Sequence, residues 1–243
     1  MKKIEPKENE IKSIKNKEKK SKTKANIKSK TTKRPIDNYK YEKELNKQGI
    51  NLIAGVDEVG RGPLIGPVVA AAVILPKNFK LDGLTDSKKL SEKKREQYYE
   101  IIKKEAIAIG VGVISEKRID EINIYEATKE AMQEAINNLT IKPEHILIDA
   151  MPLDLDIPTT SIIKGDLLSL TISAASVIAK VERDHMLYDI DKEYPMYDLK
   201  NNKGYGTKKH LEAIKEYGIT KYHRLSFKPV FDNKDKINDK PVQ

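Results

Sequence analysis

Apolar and polar positions along this chain switch between two periods, and the switches mark its elements. Leu52-Ile53-Ala54-Gly55-Val56 is an unbroken apolar run, short enough for a buried strand. A longer apolar stretch over residues 66–75 predicts a second strand, stopped by Pro76. Gly60-Arg61-Gly62 lies between the two, so an antiparallel hairpin through that loop is expected. Over residues 91–106 the period lengthens: Tyr98, Ile101, Ile102 and Ala106 share one helical face, and Ser91 is placed to cap the helix. Residues 107–115 alternate and read as a third strand. Helices follow over 115–123 and 125–139, then short buried strands at 146–148 and 161–163. Residues 169–194 predict a long helix, in which Ala174, Ala175, Ser176 and Ala179 permit close packing. A short helix opens near Tyr39, and a last helix is expected over 207–217 with Thr207 as its cap. Strands that lead, with helices between them, predict a mixed α/β sheet flanked by helices. The C-terminal helices should pack on the sheet edge, and no repeat or second domain is visible.

Charge divides the chain. The whole carries a net charge of +9, but residues 1–34 hold 14 Lys or Arg and 4 Glu, a net of +10. The remainder, with 32 basic and 33 acidic residues, is net −1. The expected organisation is a disordered basic arm over 1–38, one folded domain over 39–230, and a loose polar tail over 231–243. Such an arm raises non-specific, salt-dependent affinity for nucleic acid. There is no cysteine, which excludes disulfides, thiolate metal sites and a cysteine nucleophile. No apolar run approaches the roughly 18 residues of a spanning helix, and the N-terminus lacks the apolar core of a secretory signal. A cytoplasmic monomer is expected, with no membrane partner.

Within this frame four acids occupy comparable places. Asp57 and Glu58 end the first strand, Asp149 ends the strand at 146–148, and Asp166 follows the strand at 161–163 across Lys164-Gly165. Paired carboxylates at a buried strand end repel each other and resist desolvation, so they stay ionised cheaply only beside a cation. Oxygen donors of this kind suit Mg²⁺. Such a cluster can hold two divalent ions roughly 3.5–4 Å apart for in-line displacement at phosphorus. The four histidines, His145, His185, His210 and His223, are dispersed and read as surface or supporting groups. Asp184, four residues after Lys180 in a helix, reads as its ion-pair partner.

Three further segments suit nucleic acid. Gly60-Arg61-Gly62 lets backbone approach a ligand and supplies a fork of donors for phosphate. Thr85-Asp86-Ser87-Lys88-Lys89-Leu90-Ser91 offers hydroxyls, ammoniums and a helix start. Lys203-Gly204-Tyr205-Gly206-Thr207 frees a tyrosine to stack on a sugar or base.

Together these segments resemble ribonuclease HII, the prokaryotic type 2 ribonuclease H, from about residue 50 to 230. The resemblance rests on residues 54–73, beginning Ala54-Gly55-Val56-Asp57-Glu58-Val59-Gly60-Arg61-Gly62-Pro63, and on Asp86-Ser87-Lys88-Lys89-Leu90. It continues through Ile148-Asp149-Ala150, Lys164-Gly165-Asp166, residues 172–184, Lys203-Gly204-Tyr205-Gly206-Thr207 and His223-Arg224-Leu225-Ser226-Phe227. It implies a ribonuclease H-like fold with a mixed five-stranded sheet. It also implies cleavage of the RNA strand of RNA–DNA hybrids and incision 5′ of single ribonucleotides in duplex DNA, leaving 3′-hydroxyl and 5′-phosphate ends. By the same resemblance Asp57, Glu58, Asp149 and Asp166 are the metal-binding catalytic acids, with Mg²⁺ or Mn²⁺. Gly60, Arg61 and Gly62 grip the 2′-hydroxyl and nearby phosphate, Tyr205 senses the ribose–deoxyribose junction, and Ser87 and Lys88 hold phosphates. The residues before 40 fall outside the resemblance and are too short for the folded N-terminal domain of ribonuclease HIII. A catalytically silent hybrid-binding module is the rival from another class, and the presence of all four acids argues against it.

Overall fold

A computed structural model describes residues 38–84, 87 and 90–238. The expected basic arm therefore lies outside the described residues, save its last position. Five strands form one mixed sheet in the order β3-β2-β1-β4-β5. They are β1 (Ile53–Val59), β2 (Val68–Ile74), β3 (Ala108–Ile114), β4 (His145–Asp149) and β5 (Thr159–Ile162). The hairpin expected through Gly60-Arg61-Gly62 forms: β1 runs antiparallel to β2, with Val59 opposite Val69. β3 pairs antiparallel with β2, whereas β4 lies parallel to β1 and β5 parallel to β4.

Side-chain alternation sorts the sheet into two faces. On one, Ala54, Val56, Ala70, Ala72, Ile146 and Ile148 pack with Ala127, Ala131 and Ala135 of α3 (Glu116–Asn137). On the other, Ala71 and Val73 meet α2 (Glu92–Glu105) and α5 (Leu170–Glu193). Glycine sets how close these helices come. A Cβ on Gly55 would lie 2.1 Å from the Thr171 backbone of α5, and one on Gly112 would lie 2.1 Å from the Ala131 carbonyl of α3. The remaining helices are α1 (Lys40–Lys47), α4 (Gly165–Leu168), α6 (Leu199–Asn202), α7 (Lys208–Tyr217) and α8 (Lys228–Phe231).

The expected caps are present. Ser91 and Thr207 each accept the backbone N–H three residues on at 3.3 Å, and Ser115, for which no cap was expected, does the same at 3.2 Å. The two helices expected over 115–139 are the two arms of α3, which breaks at Asn123 (φ 70°). Its side chain caps the second arm by accepting from the N–H groups of Tyr125 and Glu126.

Three expectations need correction. Ile163 is not part of β5 and is 79% exposed. α7 is not the last helix, because Lys228–Phe231 forms another turn on Pro229. The tail expected to be loose from 231 is held as far as Asn238: the Ile219 N–H donates to the Lys236 carbonyl at 2.8 Å, and the Asn238 N–H to the Ile219 carbonyl at 2.6 Å. Gly218 (φ +89°) makes room, since a Cβ there would meet the Lys236 oxygen at 2.5 Å. This region closes over a separate apolar cluster built on Leu64, Ile65, Leu187, Tyr197, Ile214 and Val230.

Candidate active site

The parallel pairing of β1 with β4 ends at Val56 opposite Ile148, so Asp57 and Asp149 are the next residues of the two strands. Both share the parity of Gly55 and Leu147, the face covered by α5. The site therefore forms at the carboxyl ends of adjacent strands, where open α/β sheets bind ligands. Asp57 is 6% exposed. Burial raises its pKa well above the ordinary carboxylate range, and Glu58 and Asp149 push it further the same way. Hydrogen bonds from Ser176 and from the Glu58 N–H (2.8 Å) oppose the rise. The pKa of Glu58 is raised by burial and by Asp149, against the pull of Arg61 at 3.5 Å. Three carboxylates thus stand in mutual repulsion.

Asp166 joins through the backbone. Asp149 Oδ1 accepts the Gly165 N–H at 2.8 Å, which fixes the first turn of α4, where Asp166 follows. A Cβ on Gly165 would meet the end of the Ile172 side chain at 2.6 Å and Asp149 Oδ1 at 3.4 Å, so this turn sits close against the strand end. Among the described residues no three Asp, Glu or His side chains are already closed around one point. Glu58 leans to Arg61 and Asp149 to Gly165, as like charges do when each finds a separate donor. The donor set itself, all carboxylate oxygen, fits a hard divalent cation.

Two buried arginines hold the loop beyond the acids. Arg183 donates to the carbonyls of Pro67, Lys203 and Ile65 at 2.9–3.1 Å. Arg224 donates to Gly66, Arg61 and Gly60 at 2.9, 3.2 and 2.6 Å. Burial lowers their pKa values, to about 10 and about 9 respectively, with Arg183 adding to the effect on Arg224. Both stay cationic near neutral pH. Gly60 is required by this clamp: its φ is +95°, and a Cβ would lie 2.3 Å from Arg183 Nε. Neither arginine is singled out by its position in the pattern. Arg183 lies within an otherwise packed helix and Arg224 in a polar segment, and carbonyl clamping leaves no spacing signature.

The loop carrying Tyr205 meets the Gly-Arg-Gly loop directly. The Leu64 N–H donates to the Gly204 carbonyl at 2.8 Å. A Cβ on Gly62 would be 3.2 Å from the Tyr205 ring, which is itself 47% exposed. The structure thus brings Gly60, Arg61, Gly62 and Tyr205 into one wall. Ser87 is turned inward: it is 3% exposed, its hydroxyl lies 2.9 Å from that of Ser176, and its carbonyl accepts from Arg95 at 2.5 Å. Its hydroxyl supports Asp57 through Ser176 and is not presented to a phosphate. Lys88 lies outside the described residues. Ser176, read from sequence only as a small packing residue, is the link that was missed. The Lys180–Asp184 pair forms as expected, at 2.6 Å. Of the histidines, His185 lies at the surface against Glu96 and His145 bonds Thr160, whereas His210 and His223 are buried together.

Comparison with known proteins adds four findings. The family profile described as Ribonuclease HII matches residues 54–230. A ribonuclease HII of Bacillus cytotoxicus is 60% identical over 201 residues, covering 83% of this chain and 76% of that one. Among solved structures, the ribonuclease H2 of Pyrococcus horikoshii superimposes with a TM-score of 0.65 at 27% identity, over 75% of this chain and 97% of the other. The ribonuclease HII in a PCNA complex from Archaeoglobus fulgidus gives 0.63 at 29%, over 72% and 95%.

Proposed function

The chain belongs to the ribonuclease HII family, endonucleolytic hydrolases of RNA–DNA hybrids, and from that premise we propose that it also incises duplex DNA 5′ of a single embedded ribonucleotide. What supports this reading is one juxtaposition. Asp57, Glu58 and Asp149 gather at the ends of β1 and β4, within one loop of a wall made by Gly60–Gly62 and Tyr205.

In this reading Asp57, Glu58, Asp149 and Asp166 hold Mg²⁺ or Mn²⁺. When bound, the ions supply an activated water and stabilise the leaving 3′ oxygen of an in-line displacement, giving 3′-hydroxyl and 5′-phosphate ends. The chain's own contribution is placement. Ser176 keeps Asp57 oriented and favours its ionised form. The Gly165 N–H fixes Asp149. Glu58 exchanges its weak contact with Arg61 for the reaction centre, which frees the Arg61 guanidinium for phosphate. The backbone of Gly60–Gly62, with no side chain at either glycine, approaches the 2′-hydroxyl, the group that distinguishes ribose from deoxyribose. Tyr205 packs against the sugar that follows. Lys88, by the family resemblance, holds a phosphate. No helix of the described residues is long and apolar enough to cross a membrane, and the enzyme is proposed to act as a cytoplasmic monomer.

The test is a gel assay on three labelled substrates: a duplex with one ribonucleotide, the matched all-DNA duplex, and an RNA–DNA hybrid. Each is run with Mg²⁺, Mn²⁺ or chelator. Metal-dependent incision 5′ of the ribonucleotide, with the DNA duplex intact, is the expected result. Cleavage of the hybrid alone would remove single-ribonucleotide incision from the proposal, and equal cleavage with chelator would remove the metal.

A further inference from the structure

We propose that His210 and His223 form a tautomer-locked relay that positions Tyr205, and that this relay sets how well the enzyme recognises a single ribonucleotide. The proposal rests on Tyr205 reading the sugar beside the ribonucleotide, as inferred above.

The chain of bonds allows one assignment of protons. The backbone N–H of Thr220 donates to His223 Nδ1 at 2.9 Å. A backbone N–H is only a donor, so His223 Nδ1 is an acceptor and its ring proton sits on Nε2. That nitrogen is 3.3 Å from His210 Nε2. Two ring nitrogens at this distance bond only if one is bare, so His210 accepts at Nε2 and carries its proton on Nδ1. His210 Nδ1 is 3.0 Å from the Tyr205 carbonyl, which can only accept. Every donor in the series then has an acceptor, from Thr220 to Tyr205. A proton added to either ring would set two donors against each other. Burial favours the neutral forms of both rings: it lowers the pKa of His210, and with the neighbouring His210 it lowers that of His223 to about 3. The rings are 0% and 2% exposed, and Tyr197 packs edge-on against both.

The relay starts from a segment that already supports the other half of the wall. His223 bridges Ile65, and the Arg224 N–H donates to the Leu64 carbonyl at 2.9 Å. The Arg224 side chain holds the carbonyls of Gly60 and Arg61. Consecutive residues therefore brace the two loops, one through a guanidinium and the other through a pair of imidazoles. The distance between Tyr205 and Gly62 is fixed from behind by His223-Arg224. His210 touches no reacting atom in this scheme and acts only through the Tyr205 backbone, as a positioning residue.

Asparagine places its amide nitrogen where histidine has Nδ1, so His210→Asn keeps the donor to Tyr205; His210→Gln and His210→Ala lose it. The experiment measures kcat/KM for each variant on a single-ribonucleotide duplex and on a long hybrid, in the wild-type and Tyr205→Ala backgrounds. His210→Ala is expected to lower the single-ribonucleotide value relative to the hybrid by about tenfold, equivalent to about 1.4 kcal/mol in the transition state. His210→Asn should stay within about twofold. In the Tyr205→Ala background, His210→Ala should add nothing, as for residues acting through one another. Should the alanine variant not fold, the Asn and Gln variants make the same comparison. Equal losses on both substrates, an Asn variant as poor as Gln, or an undiminished His210 effect without Tyr205 would each overturn the relay. If Tyr205→Ala alone leaves the substrate ratio unchanged, the reading of Tyr205 itself fails, and the relay with it.

Discussion

At the scale of single residues, the site is a problem of charge. Asp57 is buried beside two other carboxylates, and burial and both neighbours raise its pKa. Ser176 is the side chain that opposes this, and it is itself held by Ser87 at 2.9 Å. Removing the hydroxyl should loosen Asp57 and weaken the cation site with little effect on the reaction once metal saturates. Ser176→Ala is accordingly expected to raise the Mg²⁺ concentration for half-maximal cleavage by about tenfold, the range seen when groups behind metal ligands are lost. A titration of rate against Mg²⁺ measures it, and an unchanged midpoint would detach Ser176 from the site. The acids were legible in the sequence because each follows a strand-like run, and strand ends are where a sheet gathers chemistry. Ser176, Arg183 and Arg224 were not. Their roles lie in what they touch across the fold, and a serine in a small-residue stretch looks the same whether it packs or bonds.

At the scale of elements, the site depends on how closely α5 lies on β1. Gly55 permits it: any side chain there meets the Thr171 backbone, which belongs to the first turn of the helix that carries Ser176 and Arg183. Gly55→Ala should therefore cost about 3 kcal/mol of stability, at the upper end for overpacking because backbone yields less than side chain. Urea denaturation reads this directly, and a loss under about 0.5 kcal/mol, the scatter of an indifferent substitution, would contradict it. All five strands and the long helices were legible from period and caps, including the break at Asn123. The short helices α4, α6 and α8 were not. Each is a single turn, too short to form on its own propensity, and is stabilised by tertiary contact. The same holds for the 232–238 segment, whose polar composition suggests a loose tail but whose backbone bridges Ile219.

At the scale of the whole molecule, the C-terminal lobe makes the fold sensitive to acid. His223 has an ordinary pKa of 6.5 when unfolded and about 3 when buried. Between those values the unfolded chain holds a proton that the folded chain does not, so stability falls as pH drops, by about 1.4 kcal/mol per pH unit. Stability measured at pH 7 and pH 5 should therefore decline by about 1–2 kcal/mol less in His223→Gln than in the parent; equal declines would mean that the buried imidazole is not what titrates. The same lobe closes the wall that stands beside the carboxylates, so the acids and the wall form one connected unit. The claim on which the account turns is that the acids at the ends of β1 and β4 perform the reaction and do not merely hold the fold. Its most direct test is Asp149→Asn under single turnover on the single-ribonucleotide duplex, with hybrid binding and thermal unfolding measured on the same preparation. The account predicts that cleavage falls by at least about a thousandfold while binding and melting temperature stay near those of the parent. Cleavage within about tenfold of the parent, or binding and fold lost together, would contradict it.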